Sequence, residues 1–268
     1  MGIFESVVKG FKEAGKLMHV IIIFFAFNVV VGLISLPLAD PAGAQNPGVA
    51  ALSIVASLVF FLFFILLQGG ALALVRDKIK TSVVDMGKFL NYGKEYYLRI
   101  LLLLLAYMIM AIGIVIVLSL ISAGILLMGD NIITRTLVAA IVTIAAVSVI
   151  TLLVYPIYAI VAENIGVVEA LKKGVGVAKA NFLKTMGLFI VLLIISMTVS
   201  VSVGFIAGFI SVPMPQILGQ IIITIANAAV QSYMPVVMMA AFMGLYLALS
   251  GGSSSETVVS TPQDNYGA

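Results

Sequence analysis

Gln220, Thr224, Asn227 and Gln231 stand four, three and four residues apart inside an otherwise apolar run. Steps of three and four place them on one helical face. Amide and hydroxyl side chains in such a run have two uses. They line a path for a solute or lipid headgroup, or they hydrogen-bond to a neighbouring helix for about 0.6 and up to about 1–2 kcal/mol. Asn28, in the first apolar run, poses the same choice. Groups that make and break bonds are scarce. With no cysteine there is no thiolate nucleophile, disulfide or thiolate metal site. The single histidine, His19, cannot build a histidine metal cluster. Deep inside the apolar runs there is no Asp, Glu, Lys, Arg or His, the groups that catalysis or ion coupling in a membrane uses. Glu163 and Asp77 sit at run ends. The expectation is a protein that is not an enzyme and takes no cofactor or metal.

Two further patterns point to binding. Lys88, Lys94 and Arg99 follow the second apolar run, and Lys172, Lys173, Lys179 and Lys184 follow the fourth. Ile165, Val168, Leu171, Val175, Ala178 and Phe182 recur every three or four residues among the latter, as in an amphipathic helix. Phe4, Val7, Val8, Phe11 and Ala14 do so among Lys9, Lys12 and Lys16, and Met86, Phe89, Leu90 and Tyr97 form a weaker version. Basic helices of this kind lie in the headgroup layer. There each lysine or arginine near anionic lipid contributes about 1 kcal/mol. The same cations also serve as ordinary topology charge. Ser196, Ser200, Gly204 and Gly208 form a four-residue ladder of small side chains. Such a ladder lets helices approach closely, as a seam between two chains or as packing within one bundle.

The elements that must carry these residues are membrane spans. Of 268 residues 63% are hydrophobic and 9% charged, against about 25% charged in a soluble domain. Mean hydropathy is +1.26. This excludes a soluble enzyme, a nucleic-acid binder and a disordered chain. Six runs are long enough to cross a bilayer: Leu17–Leu38, Ala50–Val75, Ile100–Met128, Thr136–Val161, Met186–Ser211 and Ile217–Leu249. The last contains Pro235, which predicts a kink. Thirteen of the fourteen lysines and arginines fall on one side of these runs, with Arg135 alone on the other. Basic residues stay in the cytoplasm, so both termini and the long loops are expected there, in a cytoplasmic membrane. The expected fold is all-α, a polytopic six-span bundle. It divides into an amphipathic segment 1–16, a transmembrane domain 17–249 and a disordered tail 250–268. Expected partners are membrane lipids and a membrane protein or a second copy, with no nucleic acid.

The chain also repeats. A shift of 84 residues lays span two on span four and span three on span five, with Val83-Val84-Asp85 on Val167-Val168-Glu169 and Lys88 on Lys172. Both units run in the same direction, which makes this a parallel repeat.

Span four ends Tyr155-Pro156-Ile157-Tyr158. Glu163, Gly166, Ala170-Leu171-Lys172-Lys173 and Asn181-Phe182 follow before the next span. This pattern resembles the membrane domain of glycerophosphoryl-diester phosphodiesterase-type membrane proteins and the related YciC-like six-span proteins, over about residues 50–249. Gly174 departs from it, since a small polar residue usually follows the basic pair. The resemblance implies a six-helix integral domain with cytoplasmic amphipathic segments. It does not imply phosphodiesterase activity, which in those proteins belongs to a separate soluble domain.

Overall fold

The computed structural model describes residues 1–36, 46–127 and 129–252. Among them the chain is all-α, with six helices long and apolar enough to cross a membrane. The protein is a multi-pass membrane protein. The helices are α1 (Ile3–Gly15), α2 (Met18–Ser35), α3 (Pro47–Thr81), α4 (Phe89–Leu127), α5 (Ile132–Leu153), α6 (Pro156–Glu163), α7 (Val167–Ala180), α8 (Phe182–Ser211) and α9 (Gln216–Gly252). A 3-10 turn, Met86–Lys88, precedes α4. Of the expected tail, residues 250–252 complete α9, and 253–268 lie outside the described residues.

Several boundaries differ from the sequence reading for local reasons. The basic stretch after span two is not a separate in-plane helix. Residues 89–99 are the first turns of α4, because nothing between Phe89 and Ile100 breaks the helix. Span four is split. Pro156 has no amide hydrogen to continue the helix, so α5 stops at Leu153 and α6 restarts with Pro156 in its first turn. The orphaned Leu153 carbonyl accepts the Tyr107 hydroxyl at 2.7 Å. Pro235 sits inside α9, which runs through it as one helix. There the carbonyl left without its usual donor is that of Gln231.

The repeat has three copies rather than two. The first helical turns after Gly2, Asp85 and Gly166 start units 83 and 81 residues apart. The returning helices start at Pro47, Ile132 and Gln216, 85 and 84 apart. Asn46 and Asn131 cap the first two of these by accepting backbone amides. Ser82 and Asn164, the only non-glycine residues with positive φ among those described, both close a returning helix. Low identity hid the first copy, because in it the amphipathic helix α1 precedes a short span.

The units close into a ring. The leading helix of each unit packs on the returning helix of the unit before it, and at each junction a glycine removes the side chain in the way. A Cβ on Gly93 would lie 2.6 Å from the Leu66 carbonyl oxygen of α3. One on Gly174 would lie 2.4 Å from the Pro156 nitrogen of α6. One on Gly10 would lie 2.9 Å from the Val237 carbonyl oxygen of α9. So α1 is part of the bundle, seated on α9 by Val7, Gly10 and Ala14, with Phe4 and Val8 facing out. On α7 the buried row is Ala170, Gly174 and Ala178, while the bulkier Val168 faces out. In both helices small residues make the closest approach to the bundle, Gly10 and Ala14 on α1 and Ala170, Gly174 and Ala178 on α7, beside the larger Val7.

The core lies at the basic end, where α3, α6 and α9 meet. Within the most apolar stretch of α9, 61% of residues are buried, against 6–17% in the other five spans. Toward the opposite end the helices are apolar all round and exposed. Lipid tails solvate such surfaces as well as another helix does, so nothing drives these halves together.

The left-handed residues give a direct check. Ser82 is exposed at φ 61°, and its side chain makes no hydrogen bond among the described residues. A non-glycine residue pays about 1–2 kcal/mol in this region. Ser82→Gly is therefore expected to raise the thermal midpoint in detergent. Asn164→Gly gains less, because Asn164 Oδ1 also accepts from Arg99.

Candidate functional site

The cations at the basic end divide into two sets. The first is consumed within the fold. Arg76 on α3 donates from Nε to Asp77 (2.8 Å) and from Nη1 to both the Tyr96 hydroxyl (2.8 Å) and the Val161 carbonyl (2.8 Å). It also lies over the Tyr92 and Tyr96 rings at 5.4 and 5.9 Å. Tyr92 donates to the other Asp77 oxygen at 2.8 Å. Lys80 donates to the Ala162 carbonyl at 2.8 Å. Val161 and Ala162 are in the last turn of α6, whose carbonyls have no helical partner and attract cations. Glu163 accepts from Tyr246 (2.6 Å) and from Lys173. These bonds tie α3, α4, α6, α7 and α9 at one level.

The second set is free. Lys94, Lys172, Lys179 and Lys184 are exposed and make no ion pair or hydrogen bond among the described residues. Lys12 on α1 behaves likewise, and the half-buried Lys9 also makes no ion pair or hydrogen bond among the described residues. The seven basic residues read as one group are thus separated. Arg99 is bound to Asn164, Lys173 to Glu163, and Lys88 loosely to Asp85 at 3.6 Å. Each of the three units contributes at least one free lysine. At the opposite end Arg135 donates to both Asp130 oxygens at 2.6 and 2.8 Å and holds that carboxyl below its ordinary range.

The polar stripe of the last span also divides. Thr224 packs on α2, where a Cβ on Gly32 would lie 2.5 Å from its methyl carbon. Gln220, Asn227 and Gln231 stay exposed. Continued by the same steps, their face reaches Phe242 and Tyr246, which pack on Tyr155 and Tyr158 at 5.5–6.3 Å between ring centres. Asn28 behaves as an interhelical tie and donates to Ser232 on α9 at 3.0 Å.

Sequence reasoning missed Gln68. Its Oε1 is buried with no hydrogen-bond partner among the described residues. On α3, Phe60, Phe63 and Phe64 face α2, Leu66, Gly69 and Gly70 face α4, and Arg76 and Lys80 reach α6. The face left for Gln68 is the inner one. The signal was present in the sequence, a lone amide in the run Leu66-Leu67-Gln68-Gly69-Gly70.

The small-residue ladder packs on nothing where it was expected to pack most closely. A Cβ on Gly204 or Gly208 would meet no atom within 4 Å, and Ser200 is exposed. Gly204→Ala and Gly208→Ala are accordingly expected to stabilise the monomer, by up to about 1 kcal/mol each from helix propensity. A fall in melting temperature that depends on protein concentration would instead reveal a contact between copies.

No curated protein and no solved structure matches the chain. The chain belongs to the family described as Domain of unknown function (DUF7847), which it matches over residues 7–249.

Proposed function

We propose that this protein is a non-enzymatic membrane scaffold or accessory subunit that binds anionic lipid, and through it or beside it a membrane-protein partner, at its basic end. The observation that carries this reading is the set of exposed, free lysines, Lys12, Lys94, Lys172, Lys179 and Lys184, distributed over all three units, while Arg76, Lys80, Arg99 and Lys173 are spent on internal bonds. Under the positive-inside rule that end faces the cytoplasm, where anionic headgroups attract juxtamembrane lysines. The test is native mass spectrometry from nanodiscs of mixed phosphatidylglycerol and phosphatidylcholine. Wild type is expected to retain phosphatidylglycerol preferentially. Changing Lys94, Lys172, Lys179 and Lys184 to Gln lowers that preference about fivefold per lysine, at about 1 kcal/mol each. An unchanged lipid profile in the quadruple variant overturns the reading.

A second reading, a permease or lipid-translocating module, is favoured by the exposure of Gln220, Asn227 and Gln231 along one face of α9. It predicts that Asn227→Leu and Gln231→Leu abolish movement of a headgroup-labelled lipid across proteoliposomes while folding is kept. Wild-type flux in both variants removes it.

A further inference from the structure

Between α2 and α3 the bundle carries a groove. The two helices meet through the rings of Phe24 and Phe27 with Phe60, Phe63 and Phe64. Beside that stack runs a groove of about 590 Å³. Ala26, Phe27 and Val30 of α2 form one wall and Phe63 of α3 the other, and Met86 and Leu90 close one end. Every lining side chain is apolar. The closing end is different in character. Lys88 lies between Met86 and Leu90 with its side chain 58% exposed, held only by the 3.6 Å contact to Asp85, and Lys94 stands free one turn beyond Leu90. The groove belongs to membrane-spanning helices, so the medium at its mouth is acyl chain. A wholly apolar slot that ends at cations has the anatomy of one amphiphile, tail along the slot and headgroup at its charged end. A smaller groove of about 330 Å³ between α8 and α9 lacks this second feature, since its lining, from Val203 to Ala226, is apolar and remote from any lysine in the sequence.

We infer that the α2/α3 groove is a resident lipid site holding one acyl chain of a membrane phospholipid, with the phosphate at Lys88. This goes beyond the lysine reading, because the tail is bound by shape and needs no anionic headgroup. The occupied groove adds to the contact that the phenylalanine rings make between α2 and α3.

The full-length protein is placed in nanodiscs with phosphatidylcholine carrying a diazirine on one acyl chain, irradiated, and mapped by peptide mass spectrometry. Insertion is expected to concentrate at residues 23–30 and 86–90, well above that at Ile109 and Ile112, which face the bilayer at 71% and 59% exposure. Ala26→Trp and Leu90→Trp fill the slot from exposed positions and are expected to cut insertion about tenfold. Both variants should keep the elution volume and melting of wild type. If one fails to fold, the other decides. Equal insertion in the groove and at Ile109 and Ile112 overturns the site, as does insertion undiminished in a folded tryptophan variant. The quadruple lysine variant separates the two proposals. Loss of its phosphatidylglycerol preference with groove labelling intact supports both. An unchanged preference sinks only the lysine reading, and even labelling sinks only the groove.

Discussion

Gly174→Leu is expected to yield no folded protein, and Gly174→Ala to melt well below wild type. Within a helix, alanine is ordinarily better than glycine by about 1 kcal/mol. At Gly174 that sign reverses. The added Cβ would lie 2.4 Å from the Pro156 nitrogen and 2.7 Å from its Cα, backbone atoms that cannot swing aside. Overpacking of this kind costs about 1–3 kcal/mol when side chains absorb it, and more when backbone must move. The displacement would draw α7 away from α6 and with it Lys173 from Glu163. Circular-dichroism melting in detergent measures the effect, with Gly204→Ala as the control in open space. A Gly174→Ala midpoint at or above wild type would refute the close approach. Of the three junction glycines, Gly174 is therefore the one where the ring closes most tightly.

Arg76→Met should cost about 3 kcal/mol, the loss typical when one partner of a buried ionic network is removed. The Arg76 side chain is 14% exposed and that of Asp77 24%, so solvent screens the pair only in part. Methionine fills similar volume but leaves the Asp77 carboxylate without its cation and the Val161 carbonyl without a donor. Arg76→Lys restores charge but not the fork that reaches Asp77, Tyr96 and Val161 together, so it should recover less than half of the loss. Paired with Tyr96→Phe in a double-mutant cycle, Arg76→Met should show a coupling of about 1 kcal/mol or more. Additive effects would mean that the bond seen at 2.8 Å contributes nothing. Lys94→Gln, by contrast, should leave melting unchanged, because Lys94 touches no partner among the described residues.

How much was legible follows from what each signal depends on. The six spans depend on composition over about 20 residues, and all six are present with ends moved by up to eleven residues. The largest shift, at α4, arose because periodicity reports which face is apolar and not where a helix begins. The apolar faces of α1 and α7 are expected in the headgroup layer, whereas the structure seats part of each against the bundle, Val7 and Ala14 on α1 and Ala178 on α7, and leaves Phe4, Val8 and Val168 facing out. The third repeat copy escaped notice because its markers, the caps at Gly2, Asn46 and Ser82, are single residues whose role is geometric.

By itself the sequence determined the medium, the number of crossings and the gathering of cations at one end, because hydrophobicity and charge are summed along the chain and need no fold to count. The tertiary structure alone decided which cations are spent and which are free. Arg76, Lys80, Arg99 and Lys173 look no different in sequence from Lys94 or Lys172, and only the arrival of the last turns of α6 and of Glu163 and Asn164 beside them fixes their partners. It decided likewise that Gly174 is indispensable and Gly208 is not, since a glycine's worth is set by the distance to the backbone opposite.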